Sequence, residues 1–333
     1  MSVFFGLDVG SSQIKVLQAE KSSQGFKLVN YSAVDLSASE EKTETIKRAL
    51  HLAKIKPGTD VNLALSEADV YTRIIETPRL SEAELASSIR YEAEEYIPVP
   101  LDEVELYHQI VSDPEELVGA KTMRVLLIAV PKERIKLLTE LMDEVGLIPK
   151  SLETELFSLK RIFSSPKKYQ ILVLFSHKTT DLMILDKGLP RFMHALPSGG
   201  LALTKTLASE LALAEDQAEQ YKRTYGLQAE LLEGKVAGVL APAIDEVINQ
   251  INKALVYLQQ QGQSRTPEQL VIAGGGAMLP GLSGYLVKKM NLEVVVGDPL
   301  ERFIKDEKFK QIITSEVNPH LAIVTSLAVK DWL

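Results

Sequence analysis

Two stretches of this chain, "GLDVGSSQIKVLQAE" from Gly6 to Glu20 and "LVLFSHKTTDLMILD" from Leu172 to Asp186, share one plan. Each is an apolar strand, a short polar turn and a second strand. A repeat separated by half the chain is no solenoid, whose units recur every ~20–50 residues. It predicts two similar α/β domains facing each other across a cleft, although meander strands look alike in any α/β protein. The copies differ at the turn: Asp8 and Gly10 in the first correspond to Leu174 and Ser176 in the second. The length of 333 residues leaves room for about two domains, each large enough to bury a core.

The flanking pattern supports the duplication. Strands are predicted over Val3 to Val9, Ile14 to Ala19 and Phe26 to Val34. A helix follows, starting at Glu40 or Thr43, with Ile46, Ala49, Leu50 and Ala53 at helical spacing and a stop at Pro57-Gly58; "DVNLAL" is the next strand. The second half repeats the order with strands Ile171 to Phe175, Asp181 to Leu185 and Arg191 to Leu196, then helices and the strand "QLVIAG". Between the halves lies an insertion from Pro78 to Lys150. It contains a helix from Ser81 to Tyr96, strands near Glu103 to Val111 and Met123 to Val130, and a helix from Lys132 to Val145. Ser81 and Glu84 match a capping box, in which hydroxyl and carboxylate each satisfy an orphan backbone group.

Composition removes several function classes. With 45% hydrophobic and 25% charged residues the chain reads as an ordinary globular protein. A net charge of -8 without a basic run argues against nucleic acid, since phosphate-backbone binding needs clustered Lys and Arg. The absence of cysteine excludes disulfides, thiol nucleophiles and thiolate metal sites. The five histidines lack ligand spacing, and no G-x-S-x-G elbow is present. The N-terminus lacks the basic flank of a signal peptide, and the longest apolar runs are too short to cross a bilayer, so membrane association is expected only through a partner.

Three motifs are candidates for chemistry. In "GLDVGSSQIKV", Gly10 allows close backbone approach to phosphate, Ser11 and Ser12 can donate to its oxygens, Lys15 can reach the same anion, and Asp8 can hold Mg²⁺ through water. A plain hairpin, with Gly10 at positive φ, explains the same residues. "LVIAGGGAMLPGLSGYL" runs a buried strand into Gly274, Gly275 and Gly276 and then a helix after Pro280-Gly281, which leaves bare backbone where ligands of open α/β sheets collect. Glycines placed only for helix-on-sheet packing remain the alternative. "DQAEQYKRTYGL" sets Glu219 and Lys222 on one helical face, as a binding pair or as a surface ion pair.

In this order the motifs resemble the actin, Hsp70 and FtsA superfamily of ATP-binding proteins, and within it the PilM family of type IV pilus assembly proteins. The resemblance covers essentially the whole chain. It rests on "GLDVGSSQIKV" and "KTTDLMIL" with "PSGG" as two phosphate motifs, "AEQYKRTYGL" as the ribose-contacting helix and "VIAGGGAMLPGL" as the adenosine motif. "SEAELASSIRYEAEEYIPVPLDEVELY" and "GLIPKSLETELFSL" resemble the PilM extra subdomain and its return. What the resemblance implies is an actin-like (ribonuclease H-like) duplicated two-lobed α/β fold, binding ATP or ADP with Mg²⁺ in the cleft. Four subdomains follow: 1A over 1–77, 151–165 and 320–333; 1C over 78–150; 2A over 166–198 and 263–319; 2B over 199–262. To the residues above it adds Thr179, Gly199 and Gly200 for phosphate, Ala277 and Met278 for adenosine, and Glu155 as a second cleft acid beside Asp8. It also implies capture of the N-terminal cytoplasmic peptide of a PilN-like inner-membrane protein in a groove whose walls include Tyr91, Ile97, Pro98 and Val99. Those four residues are equally candidates for the subdomain's core. The implied place is cytoplasmic, held at the inner membrane through that partner, with other pilus platform or motor proteins as further contacts.

Two departures bear on mechanism. Leu174 and Ser176 replace the Asp-x-Gly that opens the family's second phosphate motif, and leucine cannot hold a metal or orient water. Ser326 stands for a glycine in "TSLAV" and is expected to crowd a loop near the cleft. The expected function is a nucleotide-binding scaffold with weak or no ATP hydrolysis. An active ATPase of the pilus, type II secretion or competence machinery is the first alternative, and an FtsA-like division protein or a sugar or acetate kinase the second.

Overall fold

The computed structural model describes residues 4–36, 40–262, 265–313 and 318–333; the expected strand start at Val3 and the expected subdomain boundary at 263 lie outside them. The first lobe is built on β1 (Phe4–Val9), β2 (Gln13–Ser22), β3 (Gly25–Asp35), β4 (Asp60–Leu65) and β8 (Ile148–Thr154), in the spatial order β3-β2-β1-β4-β8. The second lobe has β9 (Tyr169–Phe175), β10 (Thr180–Asp186), β11 (Leu189–Leu196), β12 (Gln269–Ala273) and β13 (Glu293–Val296), in the order β11-β10-β9-β12-β13. The two orders are the same. Each sheet begins as an antiparallel meander and continues with two parallel strands. All seven residues of β9 are buried, so the strand reads as one apolar run rather than an alternation, as a strand covered on both faces must.

Helices close the sheets. In the first lobe, α1 (Lys42–Leu52) packs on β2 and β3 through Ile46, Ala49 and Leu50. It stops well before Pro57-Gly58, because Ala53 caps it and Lys54 turns to φ 57°. In the second lobe, α5 (Gly200–Glu210), α6 (Glu215–Tyr225), α7 (Lys235–Gln260) and α8 (Leu282–Met290) cover one sheet face. Its other face meets α4 (Glu155–Phe163) and α10 (Ala322–Val329) through a core containing Leu156, Leu159, Leu172, Leu174, Met183, Ala322 and Leu327. These two helices are the joint between the lobes. A Cβ on Gly6 of β1 would lie 2.5 Å from the Val324 carbonyl oxygen, so only glycine lets α10 lie this close to the first sheet. The closing segment of the first lobe is thus helical at Ala322–Val329.

The insertion forms a third sheet, β5-β7-β6, from β5 (Tyr71–Pro78), β7 (Thr122–Pro131) and β6 (Val104–Ile110), covered by α2 (Glu82–Tyr96). The Ser81 capping box is present, with the Ser81 amide donating to Glu84 Oε2 at 2.8 Å. The sequence reading begins this subdomain at Pro78 and ends it at Lys150, whereas strand pairing gives Tyr71–Pro78 to the inserted sheet. α3 (Lys132–Glu144) belongs by packing to the first lobe, because Met142 completes the core under β1 and β4. Likewise the stretch after β13, expected in the second lobe, sends Leu300, Phe303 and, from α9 (Glu307–Ile312), Phe309 against β2 and β3. Phe26 and Phe303 stack tilted at 5.7 Å, and apolar burial of this kind overrides chain order. Among the described residues no helix is long and apolar enough to cross a membrane.

Candidate nucleotide cleft

The strand ends that point between the lobes are β1, β9 and β12, and the turns leaving them line a cleft of about 1210 Å³. On the first-lobe side Asp8, Gly10, Ser11, Ser12 and Lys15 all face it. Asp8 lies opposite Lys15 in the β1–β2 register, and the Lys15 ammonium donates to Asp8 Oδ2 at 2.8 Å. Gly10 is required by proximity, since a Cβ there would lie 2.6 Å from the Gln13 carbonyl oxygen. Its φ is not among the positive ones, so the turn needs its missing side chain rather than a left-handed backbone.

On the second-lobe side, Leu174 lies opposite Asp181 in the β9–β10 register. Directly paired residues share a sheet face, so Asp181 sits beside Leu174, beneath the cleft rather than in its lining. It is fully buried; Thr179 donates to its Oδ2 at 2.8 Å and its Oδ1 has no partner. Burial first, and the nearby Glu67 carboxylate second, push the Asp181 carboxyl up to about 8. Glu155, the first residue of α4, lines the cleft with a buried Oε2 that has no partner. Its carboxyl is pushed well above the usual range by burial, then by Asp181, Asp8 and Glu67. Glu67 accepts from the Leu156 amide at 3.1 Å and is itself pushed up to about 7, mainly by burial. Four carboxyl groups from both lobes thus converge beneath the cleft, and one carboxylate raises the proton affinity of the next.

The "PSGG" turn closes over this hairpin. A Cβ on Gly199 would lie 2.6 Å from both the Ser176 carbonyl oxygen and the Thr179 amide. The amides of Gly200 and Leu201 donate to the carbonyls of Ser176 and His177, at 3.0 and 2.8 Å. Gly199 and Gly200 line the cleft as expected, but these first helical amides brace the β9–β10 turn rather than pointing free. Beside them, Lys222 donates to Glu219 at 2.6 Å, to Thr204 at 2.7 Å and to the Gly200 carbonyl at 2.8 Å. Burial opposes charge on Glu219, yet hydrogen bonds from Lys222, Thr204 and Arg223 outweigh it and pull the carboxyl down to about 2. Glu219 and Lys222 are therefore part of the cleft wall, tying α5 to α6, and not a surface pair.

The glycine triplet supplies the third side. Gly274 sits at φ 84° with its Cβ position 2.4 Å from the Phe175 carbonyl oxygen, and Gly276 faces the Phe175 side chain at 2.7 Å. Gly275 has open space around it. Met278 is exposed and lines the cleft, whereas Ala277 turns inward and packs in the second-lobe core, so Ala277 leaves the set of expected adenosine contacts. Leu203, Ile244, Val247 and Leu282 add an apolar wall from α5, α7 and α8. Sequence reasoning missed Glu67 and Asp181 as site acids, and His177 and His320 as cleft residues. Position after the strand end was the available signal for His177; nothing local distinguishes Glu67. Burial lowers the proton affinity of both histidines, aided by Lys222 at His177 and by Lys15 at His320.

Two other expectations change. Ser326 is fully buried within α10, where its hydroxyl accepts from Arg161 at 2.8 Å, so it braces α4 against α10 and crowds no loop. The four partner-groove candidates do not form one wall: Ile97 is buried in the inserted core with Val99 packed on it, while Tyr91 and Pro98 are exposed. Among the described residues no group of three or more His, Asp or Glu is arranged to hold a metal directly.

Two sheets of one topology, joined at α4 and α10 around a cleft lined by both hairpins and a glycine turn, define the actin-like ATPase fold. The family model for type IV pilus assembly protein PilM matches residues 6–332, and the chain belongs to that family. The PilM–PilN type IV pilus biogenesis complex superposes with TM-score 0.81 at 23% identity, covering 98% of this chain and 97% of that one. MreB5 of Spiroplasma citri bound to ADP gives TM-score 0.55 at 12% identity over 98% and 95% of the two chains. The cell division protein FtsA of Streptococcus pneumoniae is 23% identical over 98% of this chain and 82% of its own length.

Proposed function

We propose that this protein is a nucleotide-binding scaffold of the type IV pilus machinery, holding ATP or ADP in the central cleft and docking the N-terminal cytoplasmic peptide of a PilN-like inner-membrane protein on its inserted subdomain. The observation that carries the cleft reading is its three-sided lining. Lys15 and two serines face it from the first lobe, Thr179 and the Lys222–Glu219 pair from the second, and bare glycine backbone lies at the end of β12. Cation, hydroxyls and glycine backbone are what a polyphosphate needs, and the apolar wall suits a base. Mg²⁺ fits this donor set as an ion that keeps its waters: Asp8 and Glu155 offer hard oxygens, and Glu155 Oε2 has no protein partner. Bound there, it would neutralise phosphate charge.

Slow hydrolysis follows from Leu174, which occupies the strand-end position that carries Asp8 in the first lobe, and from an Asp181 kept neutral beneath the floor. An active ATPase is the second reading, and one observation favours it: the second lobe retains an acid, moved across the strand pair to Asp181. Steady phosphate release that is abolished in Glu155→Gln would establish turnover and displace the scaffold reading. Calorimetric titration with Mg–ATP tests the cleft, and titration with the N-terminal peptide of a PilN-like protein tests docking. Absence of heat in either removes that half of the proposal. The partner assignment draws on family membership and on the PilM–PilN complex as a relative; Tyr91 and Pro98 are the exposed candidates left for contact.

A further inference from the structure

The inserted subdomain is covalently part of the first lobe, yet its charged loop reaches the second. Arg191 of β11 is 3% exposed; it donates to Glu116 Oε1 at 2.7 Å and to the Val111 carbonyl at 3.4 Å. The other oxygen of Glu116 accepts from Arg124 of β7 at 3.0 Å, so one carboxylate bridges a cation on each side of the seam. Lys187 adds a second link, to Asp113 at 2.8 Å and Glu115 at 3.2 Å. Its backbone is itself informative. Lys187 and Gly188 take φ 52° and 76° in the two-residue turn between β10 and β11. A turn of that hand favours Asn or Gly first, and a strained lysine whose ammonium makes the cross-subdomain contact points to a role for the contact.

Beyond these pairs, β11 runs beside β5 of the insert, and the packing there is incomplete. The inserted core and the second-lobe core are separate clusters, and a cavity of about 340 Å³ lined by Glu76, Tyr169, Asp186 and Arg265 lies between them. No shared apolar core joins the two bodies; charge pairs and the edge contact of β11 with β5 do, which is the character of an interface that can release. Its position gives it leverage. β9 and β10 run from the seam, at Tyr169 and Asp186, to the cleft, at Phe175 and Thr180, a rigid hairpin about 20 Å long.

We propose that Arg191 and Lys187 latch the inserted subdomain to the second lobe, so that rotation of the β9–β10 hairpin at the nucleotide cleft is transmitted to the subdomain that carries partner docking. The transmission rests on the nucleotide reading of the cleft; the latch rests on the seam alone.

The chain has no cysteine, so spin labels at Tyr91→Cys, Leu52→Cys and Val287→Cys, all on exposed positions, report only the chosen sites. Labels at 52 and 287 span the two lobes, and labels at 91 and 287 span insert and second lobe. The 91–287 distribution is expected to be narrow in the otherwise wild-type protein, to broaden roughly twofold in Lys187→Glu as the charge-held interface loosens, and to narrow again when Asp113→Lys is added. Arg191→Gln, at the buried limb, should broaden it independently. On adding a non-hydrolysable Mg–ATP analogue, 52–287 should shift while 91–287 stays unchanged. A 91–287 distance that moves as much as 52–287, a 52–287 distance that ignores bound analogue, or a Lys187→Glu width equal to wild type overturns the proposal. If calorimetry shows that no nucleotide binds, the cleft reading fails, and the widths without nucleotide still decide the latch.

Discussion

Leu174 faces Asp181 across β9 and β10 at the positions where Asp8 faces Lys15 across β1 and β2. One hairpin pairs an acid with a cation; its copy pairs an apolar residue with an acid that has no cation. The first pair can offer charge to a ligand. The second buries a carboxyl that burial holds in its protonated form.

Stability should therefore fall as pH rises through the range set by Asp181. The folded chain keeps this proton up to about 8, while the unfolded chain releases it near the ordinary value of 3.8, so between those values the folded state binds more protons and loses stability with increasing pH. Asp181→Asn removes its share of this dependence, leaving that of Glu67 and Glu155. Its melting temperature is expected to exceed that of the wild type by roughly 3–6 °C at pH 8 and by much less at pH 4, read by differential scanning calorimetry.

Lys15 lines the cleft beside the β1–β2 turn, held by Asp8 at 2.8 Å. Lys15→Ala should weaken Mg–ATP binding about tenfold or more, a loss of one charge-assisted contact of ~1.5–3 kcal/mol. Fluorescence titration with a labelled nucleotide checks it, and an unchanged affinity would place the phosphates elsewhere.

Lys222 joins α5 to α6 through three acceptors. Lys222→Met strips them and leaves Glu219 with fewer donors, at an expected loss of about 2 kcal/mol in urea unfolding together with weaker nucleotide binding. Arg223→Ala, on the exposed side of the same carboxylate, should change stability by less than about 0.5 kcal/mol.

Gly274 and Gly275 are neighbours with opposite demands. Gly274→Ala meets both a positive φ and a carbonyl oxygen 2.4 Å away, and should destabilise by about 2 kcal/mol or more. Gly275→Ala meets open space and should fold normally, so any effect it has should appear in nucleotide binding.

Ser326→Gly should not improve nucleotide affinity, since the side chain lies inside α10 and accepts from Arg161. The expected result is a loss of about 1 kcal/mol from the missing hydrogen bond and the helical glycine, measured by chemical denaturation.

The sequence alone determined the duplication, the cleft and most of its lining. Strand alternation, glycine turns and caps are local signals, carried by a few adjacent residues, and they located β1, β3, β4, the Ser81 helix and the glycine turn within a residue or two, while β2 runs three residues beyond its expected end at Ala19. Pairing register was also legible, since the Gly6 and Leu172 stretches align without gaps. What tertiary structure decided depends on approach between distant segments. Glu67, Glu155, Asp8 and Asp181 meet only because α4 brings the first lobe's acids beneath the second lobe's hairpin, and burial there raises the proton affinity of Glu67, Glu155 and Asp181. Ala277 and Ile97 turn inward because neighbouring cores need apolar volume, which no motif records. The Arg191 latch likewise joins residues about 75 positions apart, at a seam that exists only once the insert has folded back against the second lobe.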